Sequence, residues 1–373
     1  MRKKEPPPAR SAMKRRVCGF SMLILCSLGS CASRQPALIP APPPLAPSPI
    51  APSHEETGLP PASPPARPVP EKPTDLERVV QWVKQQSPII KKYILQEGDR
   101  IQVKSDLGQE DLPELAGDTR FEVDYDLAHA RQIDGDRFWV DFSVQEASSG
   151  SIRRDSLLWH IKEDAVGLLL AFDDNYQDAW EGHLDLFDRY GAKVTFFIQG
   201  DLCSFCFTAL SRGHDVGYHT RHHLNLTKVS REVFFTETLS AIDTFRNAGI
   251  PLHAFAYPYG LWEPWMHEEL APAFKILRGY GVTFRVYDRE SIAQGYISSK
   301  ALDNILYKED ADFQAIITLM LRTLKFIGGE LILPLTTHDI SDRADWGITP
   351  QRLNYLLQSA QDLHLRFYRY RDF

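Results

Sequence analysis

From residue 165 onward, short apolar runs alternate with helical segments, the pattern of parallel strands joined by crossover helices. The runs are VGLLLAF (166–172), KVTFFI (193–198), DVGYH (215–219), LHAFAY (252–257), VTFRVY (282–287) and ELILPL (330–335). The helices between them have readable ends. One carries Trp180, His183, Leu184 and Phe187 on a face and stops at Gly191. Another runs from an N-cap at Ser230 through Phe234, Ile242 and Phe245 to Gly249, with Pro251 beyond. No internal repeat is present, so the expectation is a single α/β barrel or sheet.

Reactive residue types fall at the ends of these strands. Asp173 and Asp174 follow the first, His219 ends the third, Tyr257 to Tyr259 follow the fourth, and His338 lies just past the last. Parallel α/β folds build their sites at the carboxyl ends of the strands, so residues this far apart in sequence can converge. Within GYHTRHH, His219 and His223 are four positions apart, a spacing that sets two imidazoles on one side of a helical turn. A carboxylate from another strand then completes a three-ligand metal site with open positions. Each residue also has a plainer reading. The two aspartates could cap and open a helix, the two histidines could be a hydrogen-bonded pair, and Tyr257, Tyr259 and Trp262 could be core packing or sugar platforms. His338 could be a surface histidine, and His222 and His253 read as non-ligands.

The N-terminal part sets the surroundings. Lys14, Arg15 and Arg16 precede the apolar run VCGFSMLILCSLGS, which is too short to span a bilayer and ends at Cys31. Residues 1–31 therefore read as a signal peptide, and the Leu-Gly-Ser-Cys ending resembles a bacterial lipobox with Cys31 as the lipidated mature N-terminus; Met13 is then the expected start. The alternative is a soluble secreted protein cleaved nearby; either way the mature protein is expected to be extracytoplasmic, and the lipidated form to be anchored in the cell envelope. Residues 32–74 are dominated by Pro, Ala and Ser, a stalk that cannot build a core. At about 3.1 Å per residue it reaches up to roughly 100 Å. Residues 75–160 read as a small α+β unit: a helix through Leu76, Val79, Val80 and Val83, broken near Pro88, then alternating runs at 121–125 and 138–144 around the Asp134-Gly135 turn. The net charge of −7 and the lack of a basic stripe exclude nucleic acid as a partner. Of five cysteines, Cys203 and Cys206 remain after the N-terminal three. Their CxxC spacing reads as a local disulfide or a reduced core pair, with a thioredoxin-like role as the rival.

Four of these segments together resemble the polysaccharide deacetylases of the NodB homology type, carbohydrate esterase family 4. The segments are AFDDNY (171–176), HTRHH with the trailing LNLT, FAYPYG (255–260) and LILPLTTHD (331–339), in family order across residues 165–373. The resemblance implies a distorted (β/α) barrel. It also implies a divalent metal, zinc by ligand type, on Asp174, His219 and His223, with Asp173 as general base, His338 as general acid and the Tyr259 backbone N–H at the oxyanion. The implied substrate is an N-acetylated cell-surface or extracellular glycan, with O-acetyl ester cleavage, as on acetylxylan, the nearest alternative. Two departures stand out. Many members have an arginine where Ala256 stands, contacting the catalytic aspartate, so Asp173 here needs another donor. The Asp and Trp that tune the acid histidine have only Asp288 and Trp346 as candidates. Ala256 also supports a rival reading, a metal-containing glycan-binding lipoprotein without turnover; a thiol oxidoreductase built on Cys203 and Cys206 is a third.

Overall fold

The computed structural model describes residues 72–85, 103–113, 115, 118–281 and 284–373. The signal peptide with Cys31 and nearly all of the Pro-rich stretch lie outside the described residues. Among the described residues no helix is long and apolar enough to cross a membrane.

The first sheet is antiparallel, in the order β1 (Val103–Leu107), β2 (Phe121–Asp134), β3 (Arg137–Glu146), β4 (Ile152–His160). Strand alternation sorts its side chains: Phe138, Val140, Phe142 and Val144 are buried while their neighbours are not. The helix Asp75–Gln85 lays Val79, Val80 and Val83 against β3 and β4. The long helix Asp310–Ile327 covers β2, with Phe326 against the rings of Tyr125 and Trp159 at 5.0 and 5.2 Å. Lys325 Nζ meets Asp164 Oδ1 at 2.8 Å beneath that helix. The sheet thus shares one continuous apolar cluster with the C-terminal body.

This second body is a closed parallel barrel of seven strands: β5 (Gly167–Asp174), β6 (Thr195–Ile198), β7 (Asp215–Tyr218), β8 (Ala254–Ala256), β9 (Ile276–Gly281), β10 (Tyr296–Ala301) and β11 (Ile332–Thr337). Closure comes from β11 pairing along β5, Ile332 opposite Gly167 through Thr337 opposite Phe172. On its other edge β5 pairs β6 only from Ala171 onward. After a short bridge of β12 (Asp339–Ile340) with β13 (Gly347–Ile348), β14 (Arg366–Tyr368) fills the earlier half of that edge. A Cβ at Gly167 would collide with the Arg366 carbonyl and the Tyr368 ring, so the junction requires glycine there.

Three sequence expectations are corrected. The helix expected through Trp180 to Gly191 is two short helices, Gln177–Glu181 and Leu184–Arg189, broken at Gly182 and His183. VTFRVY is not a barrel strand: its described part joins β9 to the helix Arg289–Ala293, touching the sheet through a single antiparallel bridge, Tyr287 to Ile332. The true neighbours, ILRGYG and YISSKA, carry Arg, Gly, Ser and Lys and lack an apolar run, because part of each faces a polar barrel interior. The helix expected from Ser230 to Gly249 is two helices, Arg231–Thr238 and Ile242–Asn247; Ser230 does cap the first, its Oγ accepting from Val233 N at 3.3 Å.

Candidate metal centre and active site

β5 is buried until its last residue, so its final two side chains have different surroundings. Asp173 is fully buried, whereas Asp174 sits at the rim with φ 82°, a left-handed conformation that aspartate tolerates better than most residues. Thr220 (φ 65°), His223 (φ 53°) and Tyr259 (φ 60°) share that conformation. Only one other non-glycine among the described residues does so, which concentrates backbone strain at this end of the barrel.

Asp174, His219 and His223 converge. Asp174 Oδ1 lies 3.3 Å from Nε2 of each histidine, and the three ligand atoms all fall within 4.8 Å of one another. His219 Nδ1 donates to the Ala256 carbonyl at 2.8 Å, which leaves the Nε2 lone pair facing the aspartate. Asp174 Oδ1 and His219 Nε2 are buried without a hydrogen-bond partner. Lone pairs facing one another in this way are unfavourable unless a cation lies between them. A tetrahedral ion with bonds of about 2.0–2.1 Å would separate its ligand atoms by roughly 3.4 Å, which the two 3.3 Å separations match. These residues fit a divalent metal. Burial and the neighbouring His219 hold the His223 imidazole below the ordinary histidine range, favouring the neutral form a ligand needs.

The spacing worked for a reason other than the expected one. Residues 219–223 are not a helical turn but a loop, shaped by Thr220 and His223 in left-handed conformations and by Thr220 Oγ1 accepting from His223 N at 3.0 Å. His222 points elsewhere, to Glu237 at 2.6 Å.

Asp173 has the arginine that position 256 does not supply. Arg278 lies directly opposite Ala256 in the parallel register of β8 and β9, and its Nη2 donates to both Asp173 oxygens at 2.5 Å. Tyr280, two residues on, donates to Asp173 Oδ2 at 2.7 Å, and Thr336 Oγ1 is 3.3 Å from the same oxygen. Burial alone would raise the Asp173 pKa; Arg278, then His219 and His338, overcome this and hold it at about 2. Tyr280 can reach in because Gly260, at φ 67°, has no Cβ; one there would lie 2.6 Å from Tyr280 N.

His338 directly follows β11, the strand paired with β5. Its Nδ1 is 2.9 Å from Asp303 Oδ1, its Nε2 is 3.0 Å from the Tyr280 hydroxyl, and its backbone carbonyl accepts from Trp180 Nε1 at 2.8 Å. Tyr280 has one proton; when it donates to Asp173, His338 must donate to Tyr280 and so carries a proton on both nitrogens. Burial opposes that charge, but the Asp303 hydrogen bond and the carboxylates nearby raise the His338 pKa above the ordinary value. The Asp that contacts His338 is therefore Asp303, not Asp288, which instead caps the helix Arg289–Ala293 by accepting from Ser291 N at 2.7 Å. Trp346 does approach His338, ring to ring at 6.1 Å.

Of the aromatic candidates, Tyr259 is 55% exposed with its ring 4.6 Å from that of His223. Tyr257 is a correction: it is fully buried, 3.3 Å from His267 Nδ1, and offers no face to a sugar. Trp262 is half-buried, its Nε1 donating to Tyr296 at 3.0 Å. Sequence reasoning missed Arg278, Tyr280 and Asp303. Only Arg278 left a trace, as the one charged residue between Ile276 and Gly281.

A family model described as polysaccharide deacetylase matches residues 162–273. The match includes Asp173, Asp174, His219, His223 and Tyr259, while Arg278, Tyr280, Asp303 and His338 lie beyond it. No curated protein matches the chain. Among solved structures, the peptidoglycan deacetylase PdaC from Bacillus subtilis is 17% identical at a TM-score of 0.36, covering 55% of this chain and 88% of its own. A family 4 carbohydrate esterase from Streptomyces lividans is 15% identical at 0.37, with coverage of 55% and 93%. The chitin deacetylase of the fungal pathogen Colletotrichum lindemuthianum is 14% identical at 0.36, with coverage of 55% and 86%.

Proposed function

We propose that this chain, whose residues 162–273 match a family model described as polysaccharide deacetylase, is a metal-dependent hydrolase that removes N-acetyl groups from a glycan of the cell envelope or its surroundings. The observation that carries this reading is the line Asp173–Tyr280–His338, which joins a candidate base to a candidate acid through one hydroxyl beside three converging metal ligands.

A divalent ion, zinc by ligand type, held by Asp174, His219 and His223 would polarise the acetyl carbonyl and acidify water. Asp173, kept ionised by Arg278, takes the proton from the attacking water. The Tyr259 backbone N–H is assigned to the oxygen on which negative charge develops. His338, kept protonated by Asp303, gives its proton to the departing nitrogen. That last step favours an amide over an ester: an amine leaves poorly without a proton, and His338 is braced at both ring nitrogens and at its carbonyl. Tyr259 and Trp346, 55% and 56% exposed, flank the site from the His223 and His338 sides and serve as sugar platforms. The lipobox-like ending at Cys31 and the stalk support an anchored protein that reaches outward.

Ala256 is the feature that favours a non-catalytic glycan-binding protein. With Arg278 on the adjacent strand that support is gone. Acetate release should be measured on chitooligosaccharides, poly-N-acetylglucosamine, peptidoglycan and acetylxylan. Release from acetylxylan alone would turn the reading to an O-acetyl esterase; release from none would end it. Chelation is expected to stop release and added Zn2+ to restore it. Elemental analysis should find a metal on the parent and lose it in His219→Ala.

The acid also predicts a pH dependence. Because its pKa is raised, His338 holds its proton above the ordinary 6.5, so the alkaline limb of kcat/KM should lie above that pH. Asp303→Asn removes the group that raises it, and the limb should move to lower pH. An unmoved limb would show that another group sets it.

A further inference from the structure

The proposed reaction makes no use of Cys203 and Cys206. Cys203 is the N-cap of the helix Ser204–Ser211, and its Sγ lies 3.3 Å from that of Cys206, both thiols being free. A disulfide needs about 2.05 Å, so a small approach closes the bond. The two thiols are unequal. Cys203 is half-exposed and Cys206 buried. The hydrogen bond with Cys206, and the amides of Cys206 and Phe205, hold Cys203 below the usual thiol range, while Cys206 is raised by the same contact and by burial. One is built to attack and the other to resolve.

The pair also lies against the site. In the loop leading to it, Gly200 N donates to the Thr220 carbonyl at 2.9 Å, and Asp201 pairs with Arg221 at 3.2 Å, both partners within the segment that carries His219 and His223. Phe205 packs 5.6 Å from Trp180, whose indole holds the His338 carbonyl. The geometry assigns Cys203 and Cys206 as a reversible dithiol–disulfide site, whose closure draws in the start of the helix Ser204–Ser211 and repositions Trp180 against His338. The oxidant is an external disulfide, a small thiol dimer or a protein. The Cys203 thiolate attacks it, forming a mixed disulfide and expelling one thiolate. Cys206 gives up its proton and attacks Cys203 Sγ, closing the internal bond and expelling the second thiolate. The pair loses two electrons and two protons, and the external disulfide becomes two thiols.

The thiol chemistry stands apart from the proposed function; only its effect on acetate release rests on that reading. The full chain is equilibrated folded in buffers of reduced and oxidised glutathione, quenched by alkylation, digested, and the peptide spanning 203–206 weighed. The expected result is interconversion between a doubly alkylated form and one lacking two hydrogens. Cys206→Ser should stop at a glutathione adduct on Cys203, and Cys203→Ser should form neither product. The indole N–H resonance of Trp180, assigned with Trp180→Phe, should move between the two forms, and the melting temperature should rise by roughly 4 °C on closure. A peptide that stays reduced in oxidised glutathione overturns the site, and an unmoved indole resonance overturns the coupling. Acetate release should differ about two- to tenfold between the forms. Release equal in both overturns the coupling; absent release with the thiol and indole results intact leaves the pair standing and removes the proposed function instead.

Discussion

Asp173→Asn is expected to lower kcat for acetate release by about 10²–10⁴-fold, the range a positioned acid or base supplies, while the protein still binds its metal. The contrast with Asp174→Asn, which should lose metal and activity together, separates the two neighbouring carboxylates by role. They differ structurally already: Asp173 is buried beneath Arg278, Tyr280 and Thr336, and Asp174 faces the two histidines at the rim. His338→Gln should fall in the same range. If the two groups serve one turnover, the double variant should lose far less than the product of the single losses, because groups acting as a unit are not additive. Asp173→Asn also leaves Arg278 buried without its counter-charge, so each variant needs a thermal melt to show that it is folded at the assay temperature. Parental rates in both single variants would remove base and acid from the reading.

How far the sequence revealed this site depends on what each residue type signals. The β5 run reads directly because a strand covered on both faces must be apolar, and the aspartates that end it stand out against that background. His219 and His223 read correctly as partners although the local geometry is not helical, since left-handed residues can return the chain after four positions as a helix does. Arg278 and Tyr280 were hidden because their value lies in reaching other strands, and a strand facing a polar barrel interior has no apolar period to give it away. Asp303 stands in the loop after β10 and reads as an ordinary loop acid until His338 is placed beside it. The accessory sheet was legible through the alternation of β3. Its fusion to the barrel was not, because Phe326 and Lys325 meet partners far away in sequence, Tyr125 and Asp164, which no local pattern can disclose.

The arginine on β9 leads to the second large effect. Arg278→Ala should destabilise the fold by about 3–5 kcal/mol, the cost of leaving one member of a buried ion pair alone, and abolish acetate release. Its pH dependence identifies the cause. In the parent the folded Asp173 pKa lies near 2, below the ordinary 3.8, so its contribution is present above pH 3.8 and lost only as pH falls toward 2. Without Arg278, burial dominates and raises that pKa, so the folded variant prefers a protonated Asp173. Its stability should then be highest in acid and decline as pH rises above 3.8, where the parent curve has levelled. Denaturant unfolding across that range reads the difference. Ala256 and Arg278 are register partners on adjacent parallel strands, and such partners project to the same side. Moving the guanidinium across, in Ala256→Arg with Arg278→Ala, should therefore restore the parental pH profile and part of the activity. A double variant that remains as unstable above pH 3.8 as Arg278→Ala alone would mean that Arg278 does more than neutralise Asp173. Its stacking over the Phe197 and Tyr280 rings, at 5.1 and 4.8 Å, would then carry the larger share.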